Sequence, residues 1–213
     1  CGQVEPGHTF TYTWEVPERA GPGPNDPSSI VWLYHSHTNE LKDVNSGLIG
    51  AIIVTRRGMA LPDGRPKDVD KEFVTLFMTF NENHSWFLDE NIRKYTDYPA
   101  GTTKAGLSKA TKLANLRYSI NGMQYANLPM MTMKKGQRVR WYLVTIGELD
   151  LHTPHWHGND VLDHGSRTDV VSIEPAQAKT VDMVPDDPGI WLFHCHVSDH
   201  MEGGMVARYQ VLP

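Results

Sequence analysis

The sequence predicts an all-β protein containing two copies of one sandwich- or barrel-type fold, the first copy present only in its last part. Three observations carry this: short alternating apolar–polar runs, Gly, Pro, Asn and Asp between them, and an internal repeat. The runs cover residues 9–14, 30–34, 49–55, 73–80, 139–145, 179–184 and 205–211. A period of two is what a strand with one buried face requires. No stretch sustains a 3.6-residue apolar period, so helix is expected only as short turns near residues 86–94 and 103–113.

The repeat sets the organisation. Glu5-Pro6, a strand pattern and Val16-Pro17 are echoed by Glu174-Pro175, a strand pattern and Val184-Pro185. Trp32-Leu33-Tyr34-His35-Ser36-His37 is echoed by Trp191-Leu192-Phe193-His194-Cys195-His196. A Gly-containing turn and a closing strand follow each, from Gly47-Leu48-Ile49 and from Gly204-Met205-Val206. Residues 1–57 therefore form the C-terminal part of a first copy, 58–70 with Pro62, Gly64 and Pro66 a linker, and 71–213 a second copy. The chain opens on Cys1-Gly2-Gln3 without Met or a secretory leader and runs straight into a strand pattern, so residue 1 is expected to lie inside a domain that begins upstream.

Composition narrows the function. Twenty basic against 25 acidic residues give a net charge of −5 without long runs, which disfavours nucleic acid as a partner. The longest apolar run, residues 48–54, is interrupted by Gly50 and far short of the ~20 residues that span a bilayer. Two cysteines, Cys1 and Cys195, exclude a disulfide framework. Eleven histidines are the unusual feature.

Eight of them fall in three clusters: His35-Ser-His37, His152-Thr-Pro-His155-Trp-His157, and His194-Cys-His196 with His200 following. In a strand the two histidines of His-x-His share a face and the residue between them points the other way. Three such pairs converging would bring six imidazoles to one point, which metal ions can satisfy. Cys195 projects to the opposite side. A thiolate there, with imidazoles from His152 and His200 and a more distant thioether from Met205, is the donor set of a blue-copper centre. Ser36 and Leu48 stand where the second copy has Cys195 and Met205, so only the second copy is expected to hold it. Structural zinc sites use four ligands, often paired cysteines, and fit less well. His8, His84 and His164 are isolated and read as surface or supporting residues. Met130, Met131 and Met133 read as a strand with buried thioethers rather than a cuprous-ion site.

These motifs resemble those of the multicopper oxidases along essentially the whole chain, in particular the ceruloplasmin–hephaestin branch and the two-domain bacterial oxidases called small laccases. The carriers are Tyr34-His-Ser-His37, Ser46-Gly-Leu-Ile-Gly50, Asn83-His-Ser-Trp-Phe-Leu-Asp89, Ile120-Asn-Gly122, Asp150-Leu-His-Thr-Pro-His-Trp-His-Gly158 and Pro188-Gly-Ile-Trp-Leu-Phe-His-Cys-His-Val-Ser-Asp-His200. The resemblance implies two packed cupredoxin-like Greek-key β-sandwiches and four copper ions. It assigns type 1 copper to His152, Cys195, His200 and Met205, and type 2 to His155. One type 3 copper would take His37, His157 and His194, and the other His35 and His196. The family's remaining two ligands belong to a fourth His-x-His early in its first domain, a motif this sequence does not contain.

The implied activity is one-electron oxidation of a small reducing substrate at the type 1 copper and reduction of dioxygen to water at the trinuclear cluster. Cys195, flanked by His194 and His196, would be the electron path. Asp199, Glu148 and Asp150 are candidates for steering a cationic donor. In iron-oxidising relatives a Glu and a His precede Ile-Asn-Gly; the corresponding positions here are Leu113 and Tyr118. A broad phenol or aryl-amine (laccase-like) oxidase is therefore expected ahead of a ferroxidase. The alternatives are a copper nitrite reductase, which lacks the second His of His-Cys-His, and a copper-binding, electron-transfer cupredoxin module without oxidase activity. A two-domain oxidase would assemble as a homotrimer, and copper loading fits an extracytoplasmic (periplasmic or secreted) location.

Overall fold

A computed structural model of the chain describes residues 4–147 and 151–213. In order, the elements are β1 (Ser29–His35), α1 (Glu40–Val44), β2 (Ile49–Thr55), β3 (Lys71–Asn81), α2 (Leu88–Tyr95), α3 (Lys109–Ala114), β4 (Leu116–Ile120), β5 (Met131–Lys134), β6 (Val139–Thr145), β7 (Pro154–Trp156), β8 (Val161–Asp163), β9 (Ser166–Thr168), β10 (Ala178–Met183), β11 (Gly189–Cys195), α4 (Ser198–Glu202) and β12 (Val206–Leu212). The expected all-β architecture is observed; α2 and α3 fall where short helical turns are expected, whereas α1 and α4, each of five residues, lie outside the expected stretches and close the turns that follow β1 and β11.

A six-stranded sheet, in the order β4-β3-β6-β10-β8-β9, faces a four-stranded one, β5-β12-β11-β7. Inward side chains interlock between them: Phe77 meets Phe193 edge-on at 5.3 Å, and Trp141 lies 5.0 Å from Phe193 and 6.0 Å from Tyr209. These rings are completely buried, as two sheets packed about 10 Å apart require. Met131 and Met133 of β5 are buried in the same core.

The hairpin β1–β2 forms its own two-stranded sheet, with His35 opposite Ile49. It packs on the outer face of the six-stranded sheet, where Val31 contacts Tyr142 and Val144, supported by Leu33, Ala51, Leu76 and Ala178. Strand β6 is consequently buried along its whole length. Val139, Trp141 and Leu143 enter the sandwich core, while Tyr142 and Val144 meet the hairpin. That double burial explains why its sequence is nearly continuous in apolar residues. Arg140, also buried, donates to Ser28 and Ser29 hydroxyls at 2.7 Å each and pairs with Asp182 at 2.7 and 2.8 Å. It ties the hairpin's first residues to the sheet.

One expected strand is not formed. Phe10, Tyr12, Trp14 and Val16 alternate as predicted, but each is at least half exposed, and residues 8–17 join no β-ladder. Alternation fixes which side chains share a face; a strand also needs a backbone partner, and none of the described strands supplies one.

Candidate metal centre

β11 ends at Cys195 and is flanked by β7 and β12, so its last residues lie between two other chain segments. Cys195 N–H donates to the Met205 carbonyl at 3.1 Å. His152 is locked by reciprocal backbone bonds with Ile173 of 3.0 and 2.9 Å. His200 sits on α4, the turn between β11 and β12. These three segments bring Cys195 Sγ to 3.6 Å from His200 Nδ1 and 3.9 Å from His152 Nδ1, with the two nitrogens 3.2 Å apart. All three residues are buried, and Met205 is completely so.

The donor chemistry fits copper. Burial pushes the Cys195 thiol above the usual range, so a thiolate there calls for a neighbouring cation. The Thr153 N–H, 3.4 Å from Sγ, opposes that push and favours the anion. Two buried imidazoles and the Cys195 sulfur form a soft, compact set, and the Met205 thioether is buried in the same core.

On the other face, ligand atoms of His155, His157 and His194 all lie within 4.8 Å of one another, and the Nε2 atoms of His157 and His194 are 2.9 Å apart. The His196 ring is 5.0 Å from that of His155 and 5.6 Å from that of His194. Burial, reinforced by the neighbouring imidazoles, holds His155 and His194 below the usual histidine range, so both favour the neutral form that binds metal. His194 Nδ1 faces the Cys195 carbonyl at 2.8 Å. A carbonyl only accepts, so Nδ1 carries the proton and Nε2, beside His157 Nε2, is the unprotonated nitrogen that a metal would take. His155 Nδ1 is buried with no hydrogen-bond partner among the described residues, while its Nε2 lies 3.4 Å from Asp169.

Within one copy the structure gathers four imidazoles, not the six expected from three converging pairs. His35 and His37 sit apart from that group, their rings 5.7 Å from each other, with His37 Nε2 3.5 Å from Glu40. The pair is carried on the first hairpin, which packs on a different sheet from β7 and β11.

Tyr118 is half-buried and stacks on His200, with ring centres 4.9 Å apart and planes at 27°. A Cβ at Gly203 would overlap the Tyr118 ring, so any larger residue there would push that ring from its place on His200. Leu113 and Asp199 are exposed. Glu148, Asp150 and Cys1 lie outside the described residues. His164 is exposed beside Asp163, and His84 is next to Lys104. Thr153, Asp169 and Glu40 were not singled out from sequence. Thr153 lies inside the His-Thr-Pro-His motif, but Asp169 and Glu40 carry no local signal that sets them apart from other exposed acids.

A family model described as multicopper oxidase matches residues 95–213. Over 98% of this chain, hephaestin of Rattus norvegicus is 44% identical across 214 residues, and ferroxidase HEPHL1 of Mus musculus is 44% identical across 213. The chain spans 18% of the length of each of these relatives. A blue copper oxidase from Nitrosomonas europaea superposes with a TM-score of 0.63 over 98% of this chain and 61% of that one, at 23% identity.

Proposed function

The chain belongs to the multicopper oxidase family, and from that premise we propose that it carries the electron-accepting site and part of the oxygen-reducing cluster of a copper oxidase that draws single electrons from an organic reductant. The observation behind this reading is the convergence of His152, Cys195 and His200 on one buried point, back to back with that of His155, His157 and His194. His152, Cys195, His200 and Met205 would hold type 1 copper, His155 type 2, and His35, His37, His157, His194 and His196 the type 3 pair. When bound, copper supplies one-electron uptake at the first set and dioxygen reduction to water at the second.

The chain's own residues do the rest. Cys195 and His194 are adjacent, so Sγ is joined to the imidazole through one peptide unit, and the 2.8 Å His194–Cys195 carbonyl contact shortens that route. Phe77, 6.3 Å from the His152 ring, and the surrounding core exclude water from the thiolate. Tyr118 presents an aromatic ring beside His200, which suits an aryl donor. The division at residues 57 and 70 is part of the same reading, as is an extracytoplasmic location; among the described residues no helix is long and apolar enough to cross a membrane.

Because His35 and His37 stand apart from the second-copy cluster, the reading includes completion of that cluster by the histidine pair of another copy, in a closed homotrimer. Co-assembly of His37→Ala and His157→Ala chains should then restore a near-ultraviolet copper-pair band that neither variant has alone.

Ferrous iron is the second reading, favoured by the likeness to a protein named as a ferroxidase and by exposed Asp199 beside His200. Against it stand Leu113 and Tyr118 at the two positions where the resemblance calls for metal-binding side chains. Oxygen consumption by the copper-loaded chain with a methoxyphenol, an aromatic diamine and ferrous iron decides between them. Faster turnover of the aromatic donors is expected. Saturable iron oxidation that dominates and disappears in Asp199→Asn would replace this reading with a ferroxidase.

A further inference from the structure

The segment Asn83-His-Ser-Trp-Phe-Leu-Asp89 contains no proposed copper donor, yet it is where the second copy takes hold of the first-copy histidine pair. Asn83 is buried and anchors the segment to its own domain, donating to the Lys112 carbonyl at 2.8 Å and to Asn81 at 3.0 Å while accepting from Asn115 at 3.0 Å. From that base Trp86 reaches across. Its indole N–H donates to Asp43 Oδ1 at 2.8 Å, and its backbone N–H donates to the Ser46 hydroxyl at 2.9 Å. Lys42 Nζ lies 4.1 Å from the centre of the indole ring.

Asp43 is buried and divides its two oxygens between the copies. Oδ1 takes the Trp86 indole; Oδ2 takes the Ser36 hydroxyl at 2.6 Å and the Asn39 N–H at 3.1 Å. Ser36 and Asn39 bracket His37, and Ser36 follows His35. A carboxylate held on one side by the second domain thus fixes both ends of the loop that displays the pair. The His35 ring is set in turn: its Nδ1 faces the Ser36 carbonyl at 3.1 Å, an acceptor only, with Glu40 Oε1 at 3.9 Å behind it, so in the neutral ring the proton sits on Nδ1 and Nε2 is unprotonated.

We propose that Trp86 and Asp43 are positioning residues: the indole N–H fixes the Asp43 carboxylate, which through Ser36 and Asn39 holds the loop that carries His35 and His37 and sets the His35 ring in its ligand-ready orientation. The Ser at the centre of His-Ser-His is then a structural counterpart of Cys195, its hydroxyl used to lock the loop. This rests on the reading of His35 and His37 as copper ligands.

The test is metal-free. Long-range 1H–15N correlation spectra of the imidazoles of the full chain, recorded near pH 8.5 where histidine is neutral, report which ring nitrogen carries the proton. In the wild type His35 should be held in the Nδ1–H tautomer. In Trp86→Phe, which keeps a ring over Lys42 but has no donor, and in Ser36→Ala, it should shift toward the Nε2–H form that prevails in water. Ser36→Thr, which retains the hydroxyl, should restore the wild-type pattern. A wild-type His35 that is not held in the Nδ1–H form, or one unchanged in both variants, overturns the proposal. Copper content per chain of His35→Ala and His37→Ala separately tests the ligand reading. Unchanged copper there overturns that reading even when the tautomer shift is seen.

Discussion

The hairpin bearing His35-Ser36-His37 and the one bearing His194-Cys195-His196 share a backbone plan. Each strand leads through a short helix, α1 or α4, into an antiparallel return, with His35 opposite Ile49 and His194 opposite Val206. Ser36 N–H bonds the Leu48 carbonyl at 3.0 Å, as Cys195 N–H bonds that of Met205 at 3.1 Å. In both, the first histidine turns Nδ1 to the carbonyl of the middle residue. The side chains diverge. Cys195 and Met205 are fully buried and Cys195 Sγ meets His152 and His200, whereas Leu48 is 55% exposed and the Ser36 hydroxyl meets a carboxylate. One frame therefore presents imidazoles in both hairpins, and the residue between them places a thiol beside two buried imidazoles in one and a hydroxyl against a carboxylate in the other.

Cys195→Ser, which gives the second hairpin the first one's middle residue, breaks the comparison most severely. The intense red-region band of the copper-loaded chain should vanish completely, while the protein remains folded by circular dichroism. Arg140→Met comes next, acting on the attachment of the first hairpin. It removes the ties to Ser28 and Ser29 and leaves Asp182, partly in solvent, without its cation. A loss of about 3 kcal/mol is expected in urea unfolding, at the low end for breaking a buried pair because Asp182 is partly in solvent. The red band, formed in the second copy, should survive at low denaturant.

Met205→Leu sharpens the comparison by importing the residue type found at Leu48. The red band should persist, because the thiolate and both imidazoles remain. The reduction potential should rise, since the oxidised ion loses an electron-rich neighbour; redox titration of the band measures it. The smallest effect is on pH dependence. The Ser36 hydroxyl, outweighing the opposite push of burial and helped by Trp86 and Asn39, holds the Asp43 carboxyl below the usual carboxylate range. A carboxyl lowered on folding contributes stability that is complete above its unfolded value of about 4 and is lost as pH falls through the folded one. The stability difference between wild type and Asp43→Asn should therefore shrink on acidification below about 4, as urea unfolding across that range would record.

The metal-binding candidates were legible because strand alternation is a local rule. His194 and His196 on one side and Cys195 on the other follow from a period of two, and the repeat marked Ser36 and Leu48 as the positions that differ. The same rule failed at Phe10, Tyr12 and Trp14, whose alternation is real but whose backbone pairs with no described strand. It also overcounted the convergence, because a shared face within each strand says nothing about which strands meet. The role of Asn83-His-Ser-Trp was invisible for a related reason: Trp86 and Asp43 are 43 residues apart, and nothing in either neighbourhood announces a contact.

By itself the sequence determined the β architecture, the spacing of the histidines and the placement of Cys195 between two of them, since each depends on residues close together in the chain. The tertiary structure decided which of those donors meet. Packing the hairpin on the outer face of the six-stranded sheet keeps His35 and His37 out of the second-copy cluster, and Asp43 links Ser36 and Asn39, on either side of His37, to Trp86. Burial of apolar faces drives that packing, and because the hydrophobic effect is non-directional, only the assembled surfaces fix the partners.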